Sequence, residues 1–183
     1  MMMTWRARVT SVAVIAALAG SGMASAAVAD GDDSRGSGVL RERLSGYQED
    51  PLVVSTTGNG TFVARVDERD QTITYRLSYS DLEGPVTQAH IHFGGRAQSG
   101  GIVVFLCANV GTPPAGTQAC PEAPATVTGT LTPANIIGPT GQGIEPEAFA
   151  EFAAAIRAGL TYVNVHSMKW PGGEIRAQLE HHH

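Results

Sequence analysis

The strongest constraint on this chain is alternation. In "GTFVARVD" (60–67) and "QTITYRLSYS" (71–80), apolar and polar residues take turns, and "ERDQ" between them has the character of a hairpin turn. A segment of period two can hide its apolar residues only as a strand with one covered face. "TQAHIHF", "GGIVVFLCANV", "ATVTGTLTP", "LTYVNVHSM" and "GEIRAQL" continue the texture from Val39 onward, split by glycine and proline. About seven or eight such strands at this spacing predict an all-β domain, a Greek-key-like antiparallel β-sandwich.

One stretch departs from it. "PEAFAEFAAAIRAGL" sets Phe149, Phe152, Ala153, Ile156 and Leu160 at helical spacing, with Pro146 and acids at its start and Gly159 near its end. These signals predict one short amphipathic helix over about residues 146–158, its Phe stripe serving as packing. "NGT" (59–61) fits a glycosylation sequon, but Asn-Gly reads more simply as a turn.

Both ends stand apart from the domain. Arg6 and Arg8 precede a small-residue apolar stretch that carries no charge until Asp30, with "ASA" and "AVA" as cleavage-like sites. Residues 1–29 are therefore expected to be a secretory signal peptide, because the apolar part falls short of the ~20 residues a membrane-spanning helix needs. Residues 30–38, "DGDDSRGSG", read as a disordered lead-in, and 39–179 as the folded domain. "LEHHH" reads as a vector scar and partial affinity tag, so 180–183 carry no functional weight and the remaining histidines are His90, His92 and His166. The chain's net charge of −5 becomes −7 without Arg6 and Arg8, and −6 once Glu180 is also set aside. An acidic domain whose only lysine is Lys169 offers no footprint for nucleic acid or an anionic membrane.

Cys107 and Cys120 are the only cysteines. In an exported chain the expectation is a disulfide. A thiolate copper site would pair a cysteine with a histidine and methionine shortly downstream, and "LCANVGTPPAGTQACPEAP" holds neither.

The histidines carry the chemistry. Alternation puts Ala89, Ile91 and Phe93 on one face of their strand and Gln88, His90 and His92 on the other. In the later strand, Val163 and Val165 share the apolar face, while Tyr162, Asn164, His166 and, if the strand runs that far, Met168 share the opposite one. All the histidines are thus expected on the wetter side of core-anchored strands. The β-carbons of a His-x-His pair lie about 7 Å apart, which lets two imidazoles converge on one ion, and His166 from a neighbouring strand would complete a facial three-nitrogen site. Neutral imidazoles favour copper, with zinc as the alternative, and Met168 as a fourth, thioether ligand would tilt the choice to copper. Gln88, Tyr162 and Asn164 are the expected supporting residues. Without a metal, the same face would be a contact surface for an extracellular protein or glycan, through Tyr162, Trp170 and the histidines.

From about Leu44 to Leu179 the chain resembles the CHRD domain, first named for repeats in chordin. The likeness rests on "LSGYQEDPLVVSTTGNGTF", "LTPANI" and, most specifically, "TQAHIHFG…GGIVVFL" with "AGLTYVNVHSMKWPGGEIRAQL". It implies an extracytoplasmic β-sandwich and no general activity. A looser likeness is to the copper–zinc superoxide dismutase sandwich, which also uses a His-x-His strand and a later histidine. Three histidines cannot furnish the bridging ligand and zinc subsite too, and an acidic domain steers an anion poorly unless Arg96 or Arg176 dominates the local field. No Gly-x-Ser-x-Gly elbow, phosphate loop or Cys–His pairing appears. Glu174 and Arg176 read as a surface ion pair or a brace for the last hairpin. The function expected is binding, storage or handover of copper, ahead of a metal-free interaction module and a copper-dependent oxidoreductase.

Overall fold

The computed structural model describes residues 37–180. The expected signal peptide, the lead-in up to residue 36 and the three terminal histidines lie outside those residues. Eight strands and one α-helix are present among them: β1 (Ser37–Ser45), β2 (Asn59–Asp67), β3 (Thr72–Ser80), β4 (Val86–Phe93), β5 (Gly101–Ala108), β6 (Ala125–Leu131), α1 (Phe149–Arg157), β7 (Thr161–Ser167) and β8 (Ile175–Leu179).

The strands form one antiparallel sheet in the order β5-β4-β7-β8-β1-β2-β3-β6. At its centre, β1 meets β8 through one paired position, Ser45 opposite Arg176. The sheet folds over at that seam into two four-stranded layers, β5-β4-β7-β8 and β1-β2-β3-β6, which gives the Greek-key-like sandwich. The alternating apolar residues meet between the layers: Phe62, Ala64, Val66, Ile73 and Leu77 from one, Ile91, Val163, Val165 and Ile175 from the other. The Tyr75 hydroxyl crosses the interior to donate to the Leu106 carbonyl at 3.0 Å, so the one polar atom of that ring is satisfied where it is buried.

The helix is shorter than its sequence signals predict. Glu147 adopts φ 66° and donates its N–H to the Ile136 carbonyl, so the backbone of the expected first turn is spent on a tertiary contact. Pro146 therefore precedes the helix, and Leu160, read as part of the apolar stripe, is 42 % exposed. Gly159, at φ 66°, ends it as expected: its N–H reaches Ile156 O and that of Leu160 reaches Ala155 O, the paired bonds of a Schellman stop. Asn59 and Gly60, read as a turn, are paired residues of β2, opposite Ser80 and Tyr79.

Cys107 and Cys120 form the expected disulfide, with α-carbons 5.0 Å apart. It ties the end of β5 to the loop that returns to β6. Closing about 14 residues limits the unfolded chain, so a Cys107→Ala/Cys120→Ala variant is expected to lose roughly 3 kcal/mol in denaturant titrations. A loss below about 1 kcal/mol would show that the loop is held by its other contacts.

Candidate metal centre

The two layers differ in how they treat their outer faces. β2 and β3 alternate between buried and open residues, whereas β7 and β8 are buried along nearly their whole length and β4 along most of it. The outer face of β4-β7-β8 is therefore not wet, contrary to the reading from alternation alone. Three loop segments roof it. Residues 94–100 lend the Gly94, Gly95, Gln98 and Gly100 carbonyls, the 46–50 segment brings Glu49, and the 170–173 turn brings the Pro171 carbonyl. Beneath lies a buried polar layer that includes His90, His92, Tyr162, Asn164, Arg176 and Gln178.

Neighbouring strands assemble the imidazoles. β4 pairs with β7 so that Gln88 faces His166, His90 faces Asn164, and His92 faces Tyr162. One ring nitrogen from each of His90, His92 and His166 lies within 4.8 Å of the others. His90 is 2 % and His92 8 % exposed, and His166 is partly open.

Hydrogen bonds fix the tautomers. His92 Nδ1 lies 2.9 Å from Gly100 O and His166 Nδ1 lies 2.9 Å from Pro171 O. A carbonyl can only accept, so both nitrogens carry the proton and both Nε2 atoms present lone pairs. His90 Nδ1, 3.2 Å from His166 Nε2, then donates to it, which leaves His90 Nε2 as a lone pair as well. His90 Nε2 and His92 Nε2 are buried without any hydrogen-bond partner. His166 Nε2 also meets Asn164 Oδ1 at 3.0 Å, two acceptors converging on one point, a conflict removed by turning the amide over or by a cation.

The surroundings hold the rings in place. Phe105 meets His90 edge-to-face with centroids 4.4 Å apart. The Tyr162 ring stacks on His92 at 4.8 Å and 1°, and its hydroxyl oxygen accepts the Gly100 N–H. Only glycine fits at position 100, because a β-carbon there would lie 1.7 Å from the Phe93 carbonyl oxygen. The loop can thus come close enough for one residue to orient both His92 and Tyr162.

Burial decides the protonation of the cluster. It pushes His90 down to about 2, with the other two imidazoles adding to the effect, and pushes His92 down to about 4 against the bond to Gly100. His166 is lowered as well, again by burial, with its bond to Pro171 acting the other way. The three rings are neutral near pH 7 and need shed no proton to bind a metal. Zinc- or copper-type ions sit about 2.0–2.1 Å from imidazole nitrogen, which sets tetrahedral ligands about 3.3 Å apart, so small side-chain rotations would close the set. Neutral nitrogen donors suit copper or zinc and not calcium or magnesium. The residues present fit such an ion.

Met168 does not follow the other expected ligands. β7 ends at Ser167, alternation stops there, and Met168 is 65 % exposed. Gln88 neighbours His166 in register, but its amide points to Val110 O at 3.5 Å. Tyr162 and Asn164 do support the cluster. Glu174 and Arg176 are not a surface pair: both are buried, and each is engaged elsewhere. Glu174 Oε1 accepts from the Thr56 hydroxyl and the Glu83 N–H, which pins two loops to the start of β8. Arg176 donates to Gly95 O and Gln98 O, and its guanidinium carbon lies 3.5 Å from the centroid of the Tyr162 ring. The alternation Ile175–Ala177–Leu179 already put Arg176 and Gln178 on the histidine face, a signal within reach of the sequence. Phe105, Gly100, Glu49 and Pro171 came from other segments and left no such signal.

A sequence profile of the CHRD domain matches residues 40–179. No curated protein and no solved structure shows a significant match to the chain.

Proposed function

The chain belongs to the CHRD-domain family, and from that premise and its three converging imidazoles we propose that it is an exported protein that binds one metal ion, copper, through His90, His92 and His166. Its role is to hold or hand over the ion. The observation that carries this reading is the pair of buried, unpartnered Nε2 atoms on His90 and His92. A buried acceptor with no donor costs about 1–3 kcal/mol, and a bound cation would convert that cost into ligation.

Export rests on the leader-like residues 1–29 together with a disulfide, a bond that persists in oxidising compartments. No helix among the described residues is long and apolar enough to cross a membrane. The reading of this face as a protein- or glycan-binding surface loses support from burial, since His90, His92 and Tyr162 offer a macromolecule almost no surface. Enclosure of the imidazoles likewise suits holding an ion better than turning over a solvent-borne substrate.

The test is a metal titration on protein freed of its C-terminal histidines. Wild type is expected to bind one copper ion per chain, and a His90→Ala/His92→Ala/His166→Ala variant to bind at least about 100-fold more weakly, the scale of loss already seen when partners of a metal ligand are removed. Equal binding by both proteins, or binding by neither, would sink the site.

A further inference from the structure

Strand order sets up a stack in which each ring or charge comes from a different strand. β7 lies between β4 and β8, and its Tyr162 has the His92 imidazole on one side and the Arg176 guanidinium on the other. β4 and β8 flank β7 on its two sides, and His92 and Arg176 approach the ring from those two strands. With the guanidinium 3.5 Å and the imidazole 4.8 Å from the Tyr162 centroid, a full positive charge stands no more than about 8 Å from the His92 ring. That charge is buried, Arg176 being 1 % exposed, and it is fixed by the Gly95 and Gln98 carbonyls.

No carboxylate belongs to the ligand cluster itself. The only grouping of potential His, Cys, Asp or Glu ligands found among the described residues is the three neutral imidazoles, with no carboxylate among them. The next oxygen at hand is the neutral amide of Asn164. Glu49 lies near Arg176, but burial pushes its carboxyl up to about 8 despite the guanidinium, so it is mostly protonated near neutral pH. Asp50, the other acid acting on Arg176, is partly open to solvent and accepts the Ser99 hydroxyl.

Donor type alone leaves copper and zinc both eligible, whereas charge separates them. We infer that this site selects a singly charged ion, Cu(I), over Cu(II) and Zn(II), and that Arg176, stacked behind Tyr162, is the positioning residue that sets the choice. The inference rests on the metal-binding reading above and deepens it. Three neutral donors leave the whole ionic charge in a desolvated pocket, where a second positive charge is costly. For a separation on the order of 8 Å and an effective dielectric near 20, the guanidinium would disfavour each further unit of charge on the ion by about 30-fold.

Competition with chromogenic chelators, done anaerobically for Cu(I), would rank Cu(I), Cu(II) and Zn(II) on wild-type protein without the terminal histidines. Cu(I) is expected to bind most tightly, Zn(II) not to displace it, and the bound copper to have a reduction potential above that of the aquo couple. An Arg176→Met variant is expected to recover about 30-fold in Zn(II) and Cu(II) relative to Cu(I), which lowers the potential by about 90 mV. Arg176→Lys keeps the charge and should hold the potential near wild type. Should Arg176→Met fail to fold, the wild-type ranking and the Lys variant still decide. Zn(II) or Cu(II) outcompeting Cu(I) on wild type would overturn the inference while leaving the metal site intact. An unchanged potential in Arg176→Met would make Arg176 structural only. No binding of any ion by wild type would remove the metal reading itself.

Discussion

Taken from pH 7 to pH 5, the metal-free Glu49→Gln variant is expected to lose about 4 kcal/mol of stability, and the unsubstituted chain only about 1 kcal/mol. Two opposing titrations underlie the difference. Unfolded, His90 and His92 take up a proton near pH 6.5; folded, burial holds them down to about 2 and about 4. Below pH 6.5 the unfolded chain thus binds more protons at these rings, and stability falls with pH until each folded value is reached. Two sites at ~1.4 kcal/mol per pH unit over about 1.5 units give the ~4 kcal/mol. Glu49 works in the other direction. Burial raises it from 4.5 to about 8, so between those values the folded chain binds the extra proton and gains stability as pH falls. That gain comes to about 2–3 kcal/mol over the same interval and masks most of the histidine loss. Urea titrations at each pH check both numbers. Identical pH slopes for the two proteins would mean that Glu49 is ionised in the fold. A flat slope in Glu49→Gln would mean that the imidazoles protonate where they stand.

Copper loading is expected to stabilise the fold by a similar amount. An ion that binds the folded chain at about a thousand times its Kd, with no affinity for the unfolded chain, adds about 4 kcal/mol. For a domain of this size the midpoint of thermal unfolding rises by roughly 10 °C. The gain should vanish in the His90→Ala/His92→Ala/His166→Ala variant. His92→Ala alone should remove most of it, because His92 carries one of the two unpartnered nitrogens and is the ring that Tyr162 and Gly100 hold in place. Scanning calorimetry with and without Cu(I), again without the terminal histidines, reads both effects. An equal shift in wild type and the triple variant would place the ion elsewhere on the chain.

Alternation made much of this molecule legible before any coordinates. It gave seven of the eight strands (all but β1), the inward set of Ala89, Ile91, Val163 and Val165, and the shared facing of His90, His92 and His166, because strand geometry depends only on neighbouring residues. The helix was legible in kind and not in extent, since its first turn gave up backbone bonding at Glu147 to pair with Ile136, beyond the reach of helical periodicity. Met168 went astray for a local reason: period two holds only while the strand lasts, and β7 ends one residue too soon.

The outer face was misread because alternation separates two sides of a strand but does not say what covers either. Polar residues on the second side suggested water, whereas the 94–100 loop, the Glu49 segment and the Pro171 turn lie over it. The family match covers residues 40–179 and agrees with the likeness read from the histidine motifs.

By itself, then, the sequence determined seven of the eight strands, the disulfide partners and the identity of three candidate ligands, which follow from local periodicity or from a short list of eligible residues, and the family, which follows from the likeness of the histidine motifs. Tertiary structure alone decided that β4 lies beside β7, which brings the ring nitrogens within 4.8 Å of one another, and that loops bury His90 and His92 while His166 stays partly open. It also turned Arg176 from a presumed surface charge into a buried one behind Tyr162. Strand order and loop cover arise from contacts between distant segments, and those contacts are what convert histidines on a strand face into neutral, desolvated donors.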